Sequence, residues 1–279
     1  MYPYPVPPTS YTFAMWKLRS WVDPDQLNRN YLARNTHPAA LALLEQDLEN
    51  SDWDWLSMNP AAIHLLERHP DKICWYWLSM NPAAIGLLER NLEKISWYRL
   101  ARNPGAIGLL ERHPEKIDWT LLSENTAAMH LLEQNPDNID WELLSENTSA
   151  IKLLEQNLDK IDWMLLSTNS AAIPILERNP DKINWWGLSC NPAAIHLLEQ
   201  NPDKIDWWAL CCNPAAVCIL ERNRDQIYWN AVSSNPSIFE YDYEGMKQAK
   251  CNLHEELVAE RFHPRNMDQF EGWGFDMGW

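Results

Sequence analysis

The sequence predicts an all-α protein, an α-solenoid of short helical hairpins built from 22-residue repeats, on three observations. Tryptophan recurs every 22 residues, at 53, 75, 97, 119, 141, 163, 185, 207 and 229, nine positions without a slip. An asparagine stands at one fixed place in each unit, often before a proline, and that pair suits the start of a helix. Apolar residues such as Ala62, Ile63, Leu65 and Leu66 then follow at the spacing of one helical face. Such regularity marks a stacked repeat, in which no unit buries enough surface to fold alone.

Residues 1–11, Met1-Tyr2-Pro3-Tyr4-Pro5-Val6-Pro7-Pro8 and onward, are proline-rich and read as a disordered lead. Residues 12–37 read as an N-terminal cap and a degenerate repeat. There Arg29 stands where later units have tryptophan, and two residues are inserted near Thr36 and His37. A charged residue fits a terminal unit, one face of which meets water. Residues 38–236 form the solenoid itself. The first helix of a unit begins at the asparagine before Pro60, Pro82, Pro104, Pro192 or Pro214, with Thr126, Thr148 and Ser170 replacing proline elsewhere. The second, shorter helix opens on the tryptophan, after Ser96, Asp118, Asp140, Asp162, Asn184 or Asp206 as its cap. Ile73, Ile95 and Ile117 anchor the connection between them. Residues 237–279 form a C-terminal cap: a contact through Ile238 and Phe239, an amphipathic helix from Met246 to Arg261, and an aromatic tail from Phe270 folding back over the last repeat.

Composition narrows the partners. With 23 basic and 39 acidic residues the formal charge is −16, which repels a polyanion, so nucleic acid and anionic membrane are not expected. No apolar run reaches the roughly 18 residues of a membrane span, and the first residues lack the basic end and apolar core of a secretory signal. Six cysteines without even spacing point to a reducing, intracellular setting.

The unit Asn-Pro-Ala-Ala-Ile-x-Leu-Leu-Glu, followed by Asn-Pro-Asp-Lys-Ile-Asp-Trp-x-x-Leu-Ser, resembles a family of helical repeats abundant in giant double-stranded DNA viruses. The likeness runs from about Pro38 to Glu240 and extends to Phe262-His263-Pro264-Arg265-Asn266 and Trp273-Gly274-Phe275. It implies a viral origin, with the protein placed in infected host cytoplasm or in the virion. It implies no catalytic residues.

Candidate chemistry divides by whether a residue repeats. The glutamates at 45, 67, 89, 111, 133, 155, 177, 199 and 221 sit in equivalent environments, whereas an acid–base pair needs unlike ones. They read as structural, bonded to a neighbouring repeat's backbone or to lysines such as Lys72 and Lys182. The tryptophan ladder reads as core for the same reason. His64, His130 and His196 lie in non-adjacent units, and Cys190, Cys211, Cys212 and Cys218 lack the spacing of a zinc site, so no metal or cofactor is expected. Specificity belongs where the repeat varies: the residue before the asparagine, and the two after the tryptophan. These columns form a strip rich in usual interface anchors, with Tyr76, Trp77, Tyr98, Arg99, Arg102, Trp186 and Trp208 as its candidate protein-binding residues. The expected function is a non-enzymatic scaffold for protein–protein interaction; the alternative is a structural part of the virus particle, such as a minor capsid or cement protein.

Overall fold

The computed structural model describes residues 15–250, and these are predominantly helical. They divide into two compact units, Leu18–Ile238 and a smaller one from the segments on either side of it.

In Leu18–Ile238 a complete repeat is a chain of four short elements. Asn191 accepts a hydrogen bond from the Ala193 amide and starts a 3-10 turn, Pro192–Ala194, which runs into the α-helix Ile195–Gln200. A second 3-10 turn, Pro202–Lys204, leads to Asp206, whose side chain caps the helix Trp207–Cys212 by accepting from Ala209. The expected first helix is therefore a 3-10 turn followed by an α-helix. Capping of the second helix holds for Asp118, Asp140, Asp162, Asn184 and Asp206. Ser96 makes no such bond.

Elements this short are marginal alone, so packing must hold them. Each unit contributes two leucines and an alanine that are fully buried, as Leu188, Leu198 and Ala194 are. Burying one leucine stabilises by about 1.5–3 kcal/mol. Ser189 is equally buried: its hydroxyl donates to the Trp185 carbonyl at 2.7 Å and accepts from the Asp206 amide at 3.0 Å. The tryptophan ladder, in contrast, is only half-buried. The core lies in the leucine, alanine, serine and asparagine columns, and the indoles flank it.

The asparagines join one unit to the next. While the Asn191 side-chain oxygen caps its own turn, its amide donates to the carbonyls of Ser167 and Asn169 in the preceding unit, both at 3.0 Å. The same offset bonds recur from Asn59 through Asn235.

This ladder has no free end. Asn35 of the first unit donates to the carbonyls of Ser233 at 3.0 Å and Asn235 at 2.9 Å, treating the last unit as its predecessor. Beside it the Asn28 amide reaches the Ser233 hydroxyl at 2.9 Å, and the Arg19 amide reaches the Ile238 carbonyl at 2.9 Å. The helix Arg29–Leu32 packs on Trp229–Ser233 as other neighbours pack on each other. Two expectations are corrected here. Residues 18–37 belong to the repeat body, and the degenerate unit is no cap with a wet outer face. Arg29 fills the tryptophan position by donating to the carbonyls of Leu44 and Asp47, at 3.2 and 2.8 Å. The inserted residues are absorbed locally: His37 donates its amide to Asn35 and caps the helix Pro38–Leu44. The final repeat is covered by the first one, and the tail from Phe270 lies outside the described residues, as does the lead 1–11.

In the smaller unit β1 (Trp16–Leu18) pairs with β2 (Phe239–Tyr241). Trp16 stacks on Tyr241 at 3.9 Å, and Lys17 lies 3.9 and 3.8 Å from Glu240 and Asp242. Residues 243–250 are helical, the start of the helix expected from Met246; its remainder lies outside the described residues.

Candidate protein-binding surface

The helices that open on tryptophan pack neighbour against neighbour. Their buried face carries the leucine and serine; the opposite face carries the three variable columns. Charges in the column before the asparagine reach across a whole intervening unit. Glu146 is influenced by Arg102, Cys190 by Glu146, and Cys212 by Arg34, each pair two units apart around the closed ladder. Along the glutamate column the ion pairs reach no further than the adjacent unit.

Those glutamates do not pair with Lys72 or Lys182 as expected. They meet arginines of the following unit: Glu45–Arg68 at 2.8 Å, Glu89–Arg112 at 2.6 Å and Glu155–Arg178 at 2.5 Å. The histidine column joins the same network, with His130–Glu111 at 2.9 Å and His196–Glu177 at 3.1 Å. Three other lysines of the column that holds Lys72 and Lys182 lie over ladder tryptophans: Lys94 over Trp75 at 4.6 Å, Lys160 over Trp141 at 4.2 Å and Lys204 over Trp185 at 4.6 Å. A cation on the face of an indole is attracted by the negative potential of the ring.

All seven predicted strip residues lie on these variable columns, in two groups. Trp55 stacks on Trp77 at 5.9 Å, and Tyr76 meets Trp77 edge-on at 5.2 Å. Arg99 lies over Tyr76 at 4.5 Å, Trp77 at 4.6 Å and Tyr98 at 5.7 Å, while Arg34 lies over Trp55 at 4.2 Å. Arg102 is ion-paired with Glu124. Trp55 and Arg34 complete this group and were missing from the prediction; Trp55 sits two residues after Trp53, in the column already chosen. The second group, Trp186 and Trp208, is 43% and 40% exposed, against the half-buried ladder beside it. Here the third column shrinks to Gly187, Ala209 and Ala231. A Cβ on Gly187 would meet the Met164 carbonyl at 2.7 Å, so only glycine permits the close approach of these two units.

Between the groups lie Glu124 and Glu146, and the second group shares its helices with Cys190, Cys211 and Cys212. Burial, then the Glu124 charge, pushes the Glu146 carboxyl up, partly offset by Arg102. Burial pushes the Cys190 and Cys211 thiols up to about 11, so both are protonated at neutral pH. Protonated thiols are poor nucleophiles and poor metal ligands. Among the described residues no group of three or more His, Cys, Asp or Glu side chains is placed to hold a metal ion, and no helix is long and apolar enough to cross a membrane.

No protein-family model matches the chain, and neither does any curated protein or solved structure.

Proposed function

We propose that Leu18–Ile238 is a closed α-solenoid acting as a non-enzymatic scaffold that holds a partner protein on its variable columns. The observation that carries this reading is the segregation of the exposed aromatics. Of the five aromatics of Leu18–Ile238 that are at least 40% exposed, four (Tyr76, Tyr98, Trp186 and Trp208) fall in the one column directly after the ladder tryptophan, and Tyr228 directly precedes one. Columns that repeat hold the units together, so a departure from the repeat is free to serve recognition. Tryptophan, tyrosine and arginine are the residues that most often anchor interfaces. The resemblance to giant-virus repeats supports a partner met inside an infected cell.

The test compares two variants of the tagged chain in extracts of infected cells. Trp186→Ser/Trp208→Ser alters the variable columns, and Arg112→Ala/Arg178→Ala alters the ion pairs of the glutamate column. Proteins captured by the wild type should be lost with the first and kept with the second. Equal capture by both variants refutes the reading, and stoichiometric presence in purified virions would favour the structural role.

A further inference from the structure

At the seam where the last units meet the first, Tyr31, Trp208, Tyr228, Trp229 and Asn230 line an open notch of about 200 Å³. Three of these residues break the repeat. Tyr228 occupies the position that aspartate or asparagine fills in seven other units, and it makes no capping bond. Losing a cap lowers helix stability; Cys74 and Ser96 also make no capping bond, but Tyr228 alone puts a ring at this position. The Tyr228 side chain is 53% exposed, so core packing does not account for it. Tyr31 stands where the units on either side carry Trp55 and Ala231, and Asn230 where the unit before it carries Trp208. Asn230 is fixed across the seam by the Asn28 amide at 3.0 Å.

The repeat shows what a ring face does in this setting, since lysines three residues before the next tryptophan lie over Trp75, Trp141 and Trp185. Around the closed ladder the corresponding residue for Trp229 is Gln26. All four rings border the notch, and among the described residues none already has a lysine or arginine over it or a stacking partner among the other three.

We propose that this notch receives the alkylammonium end of a lysine side chain from a partner protein, with the N-methylated form fitting best. Aromatic faces around a small space recognise methylated ammonium through cation–π attraction, and the bulkier, less hydrated cation gains most. The volume lies below the roughly 300–1,000 Å³ of sites for drug-sized ligands, which suits a side-chain end. A net charge of −16 favours a cationic occupant over an anionic one. That the ammonium comes from a protein rests on the scaffold reading; that the notch takes an ammonium does not.

The test uses three amides on the intact chain: N-acetyl-trimethyllysine methylamide, the unmethylated lysine amide, and the neutral analogue in which carbon replaces the quaternary nitrogen. Shifts of the tryptophan indole N–H resonances report binding. The trimethyl compound should bind saturably, and the neutral analogue at least tenfold more weakly, with the plain lysine amide between them. Trp208→Ala should abolish the shifts. Tyr228→Asn, which restores a capping side chain, should weaken binding at least tenfold while raising the melting temperature. Equal binding of charged and neutral compounds, or no saturable shift, or full binding by both variants, overturns the proposal. Loss of partner capture with the Trp186→Ser/Trp208→Ser variant is read separately, so either reading can fail while the other stands.

Discussion

Replacing Asn35 by alanine tests the closure of the repeat directly. Its side chain is fully buried and makes three bonds: the amide donates to the Ser233 and Asn235 carbonyls at 3.0 and 2.9 Å, and the oxygen accepts from the His37 amide at 2.9 Å. Each such bond contributes about 1 kcal/mol net, and a buried carbonyl left without a partner costs about 1–3 kcal/mol. The substitution should therefore cost about 3–5 kcal/mol, the same as at an interior link. Asn147 provides the comparison, with bonds to Ser123, Asn125 and Ser149 at 3.0, 3.1 and 2.9 Å. Urea unfolding of Asn35→Ala and Asn147→Ala should give equal losses. Hydrogen exchange should show the Arg19 and Asn28 amides, which bond across the seam, as protected as the interior capping amides. An open stack predicts otherwise, because terminal units fray first. If Asn35→Ala costs under about 1 kcal/mol, or those two amides exchange within minutes, the argument for closure fails.

Trp141→Ala should cost about 2 kcal/mol in the same unfolding assay, below the roughly 3–5 kcal/mol of a fully buried ring, because Trp141 is half-buried under Lys160. Gly187→Ala should destabilise by about 1–3 kcal/mol despite the better helix propensity of alanine, since the added carbon would press on the Met164 carbonyl; a rise in melting temperature would refute the close approach. For Glu146 the folded state holds its proton more tightly than the unfolded chain, since burial and Glu124 raise its pKa. Stability is then lost as pH climbs from the ordinary carboxylate value through the raised one. Glu146→Gln should melt higher than the wild type at neutral pH, and the gap should close as pH falls below that window.

The repeat length, the helix starts and the variable columns were legible in the sequence because each is a local pattern recurring at a fixed interval. Asparagine capping was read correctly, yet only half of what asparagine does was seen. A cap needs a side-chain oxygen, which serine, threonine or aspartate supplies equally well. Proline gives way to threonine or serine at 126, 148 and 170, while the asparagine before it does not change. That insistence on an amide was the available sign that its nitrogen donates elsewhere, to the preceding unit's carbonyls. The tryptophan ladder misled for the opposite reason: regular spacing establishes that a residue holds the repeat together, but not that it is buried. Lysine packed over its face lets an indole do so at the edge of the core.

Closure itself leaves no pattern within any single unit. Curvature in a stack of repeats is the sum of small rotations, each set by how closely neighbouring helices approach. The column that carries Trp55 and Trp77 in one part of the repeat carries Gly187, Ala209 and Ala231 in another, where Gly187 lies close to the Met164 carbonyl. A stack meets its own beginning only when these rotations add to a full turn, which no periodicity reveals. What the first unit does reveal is its bonding capacity. Asn35 keeps the amide that an inner unit needs for a predecessor, and Asn28 keeps both a free amide and a side chain to share. A unit facing water has no use for a buried asparagine with two carbonyls to satisfy, so the retention of Asn35 in a unit that lost its tryptophan argues that a neighbour has to sit there. In this chain that neighbour is its own last repeat.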